Sequence, residues 1–166
     1  MRSRTFAVFL LLASGCGDSP TTPENQPSRL VVTAVSPSSG GTVVVPAQYP
    51  FNPIGGVVLP PQSGLISVTV SIRSAHEVPW AQLYVYLRSG TDYCGQNLPD
   101  APTWGFLPSG WTTTYAVTGF QVYNLPCDVT GVQAFFHTRN NGLLIPPTPA
   151  ETIAEATAPA SFHLRR

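Results

Sequence analysis

Apolar and polar residues alternate with a period of two along most of this chain. In Leu65–Arg73, Ile66, Val68, Val70 and Ile72 fall on one face, and Ser67, Thr69, Ser71 and Arg73 fall on the other. That alternation marks a half-buried antiparallel strand. Trp80–Arg88 alternates again, with Ala81, Leu83, Val85 and Leu87 on one side and Trp80, Gln82, Tyr84, Tyr86 and Arg88 on the other. Both sides carry apolar mass, which predicts a central strand with Tyr84 and Tyr86 packed beneath a second sheet. In Gly131–Thr138, Val132, Ala134 and Phe136 should face the core.

Weaker segments complete the pattern. Leu30–Val35 and Thr42–Val45 read as strands on either side of the turn Pro37-Ser38-Ser39-Gly40-Gly41, and Val57–Leu59 is a short piece able to pair. Trp111–Thr118 reads as a strand, Gly119 as a bulge within it and Phe120–Leu125 as its continuation. Residues 89–110 read as one long irregular stretch, and Pro126-Cys127-Asp128 as a corner. Arg139-Asn140-Asn141-Gly142 is a tight-turn signal, because Asn and Gly tolerate positive φ. Thr157–Arg165 is the last strand, and Pro159 within it predicts an edge position.

Composition agrees with this pattern. Pro (18) and Gly (14) punctuate many turns, and good helix formers such as Lys are missing. About seven strands with no helix predict an all-β fold, an antiparallel β-sandwich. Across residues 30–166 the arrangement resembles bacterial immunoglobulin-like or fibronectin-III-like domains, with Trp80 resembling the buried Trp of strand C. Val35-Ser36-Pro37-Ser38-Ser39-Gly40-Gly41-Thr42 is similar to the opening of IPT/TIG-type immunoglobulin-like domains.

The N-terminus departs from the alternation. Arg2 and Arg4 precede the apolar run Phe6–Leu12, which is too short for a permanent membrane span and of the size of a signal h-region. Ala13-Ser14-Gly15-Cys16 then resembles the lipobox of bacterial lipoproteins, with Ala13 where that family prefers Leu. The resemblance implies cleavage before Cys16 and a lipid on its sulfur. Gly17 after the cysteine resembles the outer-membrane sorting pattern of double-membraned cells. Two or three acyl chains on one residue make a stable anchor, where a single chain does not. The expected organisation is therefore a signal peptide over 1–15, a lipidated Cys16 with a disordered tether over 16–29, and a β-sandwich domain over 30–166. The tether lacks apolar residues to bury and carries Pro20, Pro23 and Pro27.

Export changes how the other cysteines read. An oxidising compartment makes a Cys94–Cys127 disulfide the default. Both cysteines are expected in connections at one end of the sandwich, so that the bridge staples the 89–110 stretch to a short corner. Charge is sparse: 8 Arg, no Lys and 8 carboxylates, with no basic stripe, which excludes nucleic acid as the expected partner.

Candidate chemistry is thin. His76, His137 and His163 lack zinc-site spacing, and surface positions are expected for them; His137 and His163 become neighbours if the last two strands pair. Asp92, Asp100 and Asp128 fall toward the disulfide end, where a cleft could hold a hydrolase's carboxylate pair. No nucleophile elbow, phosphate loop or dinucleotide fingerprint occurs. Tyr93, Trp104, Phe106 and Trp111 lie in or beside the long stretch. They would either stack on sugar rings or grip a partner, or plug the open end of the sandwich.

The expected function is a non-catalytic binding or structural module, lipid-anchored to the cell envelope, with no metal and no cofactor. Its expected partners are the membrane, through the lipid, and an envelope protein or glycan. The rivals are a carbohydrate-binding module using the loop aromatics and a small envelope hydrolase using the loop carboxylates.

Overall fold

A computed structural model of the chain describes residues 26–52, 55–97, 101–138 and 147–166. The segment 1–25 lies outside these residues, and with it the signal peptide, Cys16 and most of the expected tether. Asp100 and the tight-turn signal at 139–142 also lie outside them.

The described residues form eleven strands and one short 3-10 turn, Pro61–Ser63. The strands are β1 (Arg29–Ser36), β2 (Gly41–Val44), β3 (Val57–Leu59), β4 (Ser67–Arg73), β5 (Ala81–Ser89), β6 (Asp92–Gln96), β7 (Thr103–Trp104), β8 (Thr112–Val117), β9 (Phe120–Val122), β10 (Cys127–His137) and β11 (Thr152–Arg165). They make two sheets. The smaller runs β1-β4-β8; the larger runs β2-β11-β10-β5-β6-β9-β3, with β7 also paired to β5. The protein is thus an all-β sandwich. Taking β4 as strand B and β5 as strand C, the two sheets carry the A-B-E and G-F-C neighbours of an immunoglobulin-like domain, and the fold is compatible with one. The pairing is antiparallel except for β2, which runs parallel to β11.

The period-two pattern accounts for the core. Ile66, Val68, Val70 and Ile72 of the small sheet are buried against Leu83, Val85, Leu87, Val132, Ala134 and Phe136 of the large one. Burial of apolar surface at about 25 cal/mol per Å² makes this interface the main source of stability. β5, apolar on both sides, is central as expected: β10 lies on one edge and β6 and β7 on the other.

Five expectations are corrected. Residues 89–110 are not one irregular stretch, because β6 and β7 both return to pair with β5. Phe120–Leu125 does not continue β8: the chain crosses at Thr118-Gly119 from the small sheet to the large one, where β9 pairs with β6 and β3. Cys127 and Asp128 belong to β10 rather than to a corner. β11 is not an edge strand throughout: β10 flanks it on one side and β2 on the other over Phe162–Arg165, whereas residues 152–161, Pro159 among them, have no second neighbour. Pro159 sits where the β10–β11 register shifts, a place where its missing N–H does no harm.

Finally, Tyr84 and Tyr86 point away from the small sheet. With Phe135 they form a second buried cluster on the outer side of the large sheet, with Tyr93 and Ala101 packed on it. Asn97 seals the β5 edge beside this cluster. Its Oδ1 accepts from Val85 N (2.8 Å), and its Nδ2 donates to Leu83 O (3.1 Å). The side chain thereby replaces a strand neighbour until Pro102 O accepts from Leu83 N (3.0 Å).

Candidate functional site

Three places in the fold collect the residues that carry chemistry. The first is the end of the sandwich where β5 begins. Val78 and Leu107 form an isolated bridge, with Val78 N donating to Leu107 O (2.9 Å) and Leu107 N to Val78 O (2.8 Å). Ser74 N donates to Trp111 O and Gly110 N to Ser74 O, each at 2.9 Å. These bonds fold the segment 101–111 over the open edge between the sheets. Trp104 and Trp111 meet edge-to-face at 5.5 Å, and both reach Phe136 of the core, at 6.0 and 6.2 Å. Tyr115 closes on Trp104 at 5.9 Å. Both tryptophans are half-buried and pack on the core, so they plug this end. Phe106, at the tip of the same segment, is 63% exposed. Trp80, just before β5, is half-buried and outside the main core cluster, unlike the strand-C Trp it was expected to resemble.

The same end receives the start of the folded chain. Arg29 pairs with Arg73 across β1 and β4. Arg73 Nη1 donates to Gln26 Oε1 (2.5 Å), and Ala75 N donates to Ser28 Oγ (2.9 Å). Ser109 Oγ in turn donates to Ala75 O (2.7 Å). Residues 26–29, expected to belong to the tether, are thus fastened to the loops that carry Phe106.

The second place is the outer side of the large sheet. Tyr93 Oη donates to Gln133 Oε1 (2.8 Å), and its ring lies 4.9 Å from Tyr86. Tyr123 sits on β9's continuation, held by its N–H to Cys94 O (2.8 Å). Burial, and then the Tyr86 phenol nearby, push its hydroxyl well above the usual tyrosine range. Gln96, wholly buried here, has neither side-chain amide atom hydrogen-bonded. His137 lies on this side too, out of phase with the core positions. It is wholly buried rather than exposed, with Tyr84 4.7 Å from its ring.

The third place is the opposite end, where Cys94 and Cys127 are bonded with Cα atoms 6.5 Å apart. Cys94 is in mid-strand, not in a connection. It is the extra residue where the β5–β6 register shifts between Leu87 and Arg88. A bulge turns two successive residues toward one face, and this one aims Cys94 into the core, where it is 3% exposed. The bridge therefore ties β6 to the first residue of β10 near the Ser89 end of β5. It does not staple the aromatic segment, which lies at the other end of β5.

Asp128 carries an exposed pair: its Oδ1 lies 2.6 Å from His163 Nδ1. β10 and β11 do pair, as the histidine expectation required. His163 nevertheless stands opposite Asp128 while His137 stands opposite Thr152, so the two imidazoles are at opposite ends. Asp92 is exposed at the start of β6. Among the described residues no three His, Cys, Asp or Glu side chains are grouped to hold a metal ion.

Of the four aromatics singled out by sequence, the fold brings Trp104 and Trp111 together, leaves Phe106 beside them on the surface, and places Tyr93 on the outer side of the large sheet. Asn97, Gln133 and Tyr123 went unmarked, since an isolated polar residue has no periodicity to announce it. No family model matches the chain, and no curated protein matches it.

Proposed function

We propose that this chain is a non-catalytic module of the bacterial cell envelope, exported, lipid-anchored through Cys16, and displaying an immunoglobulin-like sandwich that binds or spaces other envelope components. The single observation that carries the reading is the buried Cys94–Cys127 bridge. Structural disulfides persist in oxidising compartments and are rare in the cytosol. A bridge in the core therefore supports export, in keeping with the signal-like run Phe6–Leu12 and the lipobox-like Ala13–Cys16. With those two cysteines engaged, Cys16 is left as the third cysteine of the chain and the natural place for a lipid.

A binding or spacing role draws support from the scaffold. The eleven strands of the described residues, packed as two sheets with polar and aromatic side chains set along the larger one, suit the presentation of surfaces. The test is labelling with a fatty acid in cells. Palmitate should enter the wild-type protein in the membrane fraction and be lost in Cys16→Ser, and globomycin should block processing. Label retained in Cys16→Ser, or a wild-type protein that takes up none, would refute the anchor.

A further inference from the structure

We infer that the end of the sandwich bearing Phe106 rests on the bilayer surface, with the Phe106 ring in the lipid headgroup region and the disulfide end pointing away. The proposal rests on the lipid-anchor reading and goes beyond it by fixing which face of the domain meets the membrane.

Two observations carry it. The first is where the chain enters the fold. Ten residue steps separate Cys16 from Gln26, a span of at most roughly 33–36 Å fully extended. Gln26 and Ser28 are bonded to Arg73 and Ala75, and Ala75 is bonded to Ser109. A lipid on Cys16 therefore makes this end the one nearest to the point of anchorage. β10 runs 11 residues from Cys127 at the far end to His137 near this one, which sets the far end roughly 35 Å further out.

The second is the chemistry of the tip. Residues 101–111 contain two Trp, one Phe, one Leu and two Pro and no ionisable side chain. Phe106 is the most exposed large apolar residue among those described, at 63%. Such a ring gains nothing in water and can bury its apolar surface at the headgroup–acyl boundary. Trp104 and Trp111, packed on Phe136, hold the segment rigidly from behind.

A single ring binds a bilayer weakly by itself, but a tether this short turns contact into an intramolecular event at high effective concentration.

The experiment uses the processed chain, beginning at Cys16. With Cys94 and Cys127 bridged, Cys16 is its free thiol and couples to a maleimide-headgroup lipid in vesicles of phosphatidylethanolamine and phosphatidylglycerol containing brominated phospholipid. Two variants carry a reporter at exposed sites on opposite ends: Phe106→Trp and Val44→Trp. The emission added by Phe106→Trp should be quenched at least twofold more than that added by Val44→Trp. In the unaltered coupled chain, amide exchange at Gly105 and Phe106 should slow severalfold. Equal quenching at the two ends, stronger quenching at Val44→Trp, or unchanged exchange would overturn the proposal. So would native tryptophan emission that shifts with added oligosaccharides and ignores brominated lipid, which would assign the end to a glycan instead. Chemical coupling keeps the two readings separable. Absent palmitate labelling in cells removes the natural anchor without touching the quenching result, and absent quenching removes the end-on contact without touching the anchor.

Discussion

Cys94 is bonded to Cys127 near the Ser89 end of β5, joining two strands that do not otherwise neighbour each other in the large sheet. The bond spans 33 positions of sequence, and closing a loop of that size restricts the unfolded chain by about 3–4 kcal/mol in the chain-entropy account. Replacing both cysteines with Ala should lower the unfolding free energy by that amount and bring down the urea midpoint, with a steeper transition because the unfolded chain is more expanded without the bridge. The sandwich should still form in the variant, because most of its core lies away from the bridge.

Asn97 does the work of a missing strand. Its amide serves Val85 N and Leu83 O while wholly buried. Asn97→Ala leaves both backbone groups short of a partner and should cost about 3 kcal/mol in equilibrium unfolding. A loss below 0.5 kcal/mol would mean that another group, or water, takes its place.

The two phenylalanines at the aromatic end should behave oppositely. Phe136 is fully buried against both Trp104 and Trp111, and Phe136→Ala should cost about 3–5 kcal/mol. Phe106→Ala, at an exposed tip, should fall within about 0.5 kcal/mol of the wild type. Thermal melts of the two variants side by side check the contrast.

Tyr123 links stability to alkaline pH. Its hydroxyl titrates above the ordinary 10.0 because it is buried and Tyr86 is beside it. A raised value means that the folded chain keeps the proton after the unfolded chain has released it. The stabilisation is complete below pH 10 and is lost as pH rises from there toward the folded value. Stability should therefore fall above about pH 10, and Tyr123→Phe should remove part of that fall while leaving pH 7 to 9 little changed. Identical alkaline slopes for the two proteins would contradict the assignment.

Much of this architecture is written in local alternation. Ile66 to Ile72 announced a strand with one buried face, and Leu83 to Leu87 with its tyrosines announced a central one; both are so placed, because period two survives wherever a strand is long and buried. β6 and β7 stayed hidden because Asp92–Gln96 and Thr103–Trp104 are too short to show a period, and their pairing is decided by β5. β9 was misread for a related reason. Nothing local to Thr118-Gly119 states that the next residues join the other sheet. At the candidate sites, the pairing of Cys94 with Cys127 followed from compartment chemistry and cysteine count, whereas the bulge that aims Cys94 inward did not. His137 was placed on the correct side of β10 by its phase, yet its burial depends on the aromatic cluster it joins. Tyr93 and the two tryptophans were singled out by residue type alone, and type carries no information about which end of β5 each one reaches.

The most direct test of the whole account is the intact mass of the native protein taken from the cells that make it. A chain that begins at Cys16, carries a diacylglyceryl group on that residue and keeps Cys94 and Cys127 oxidised is the predicted species. A chain with residues 1–15 still attached, with Cys16 unmodified and the other two cysteines as free thiols, would contradict it.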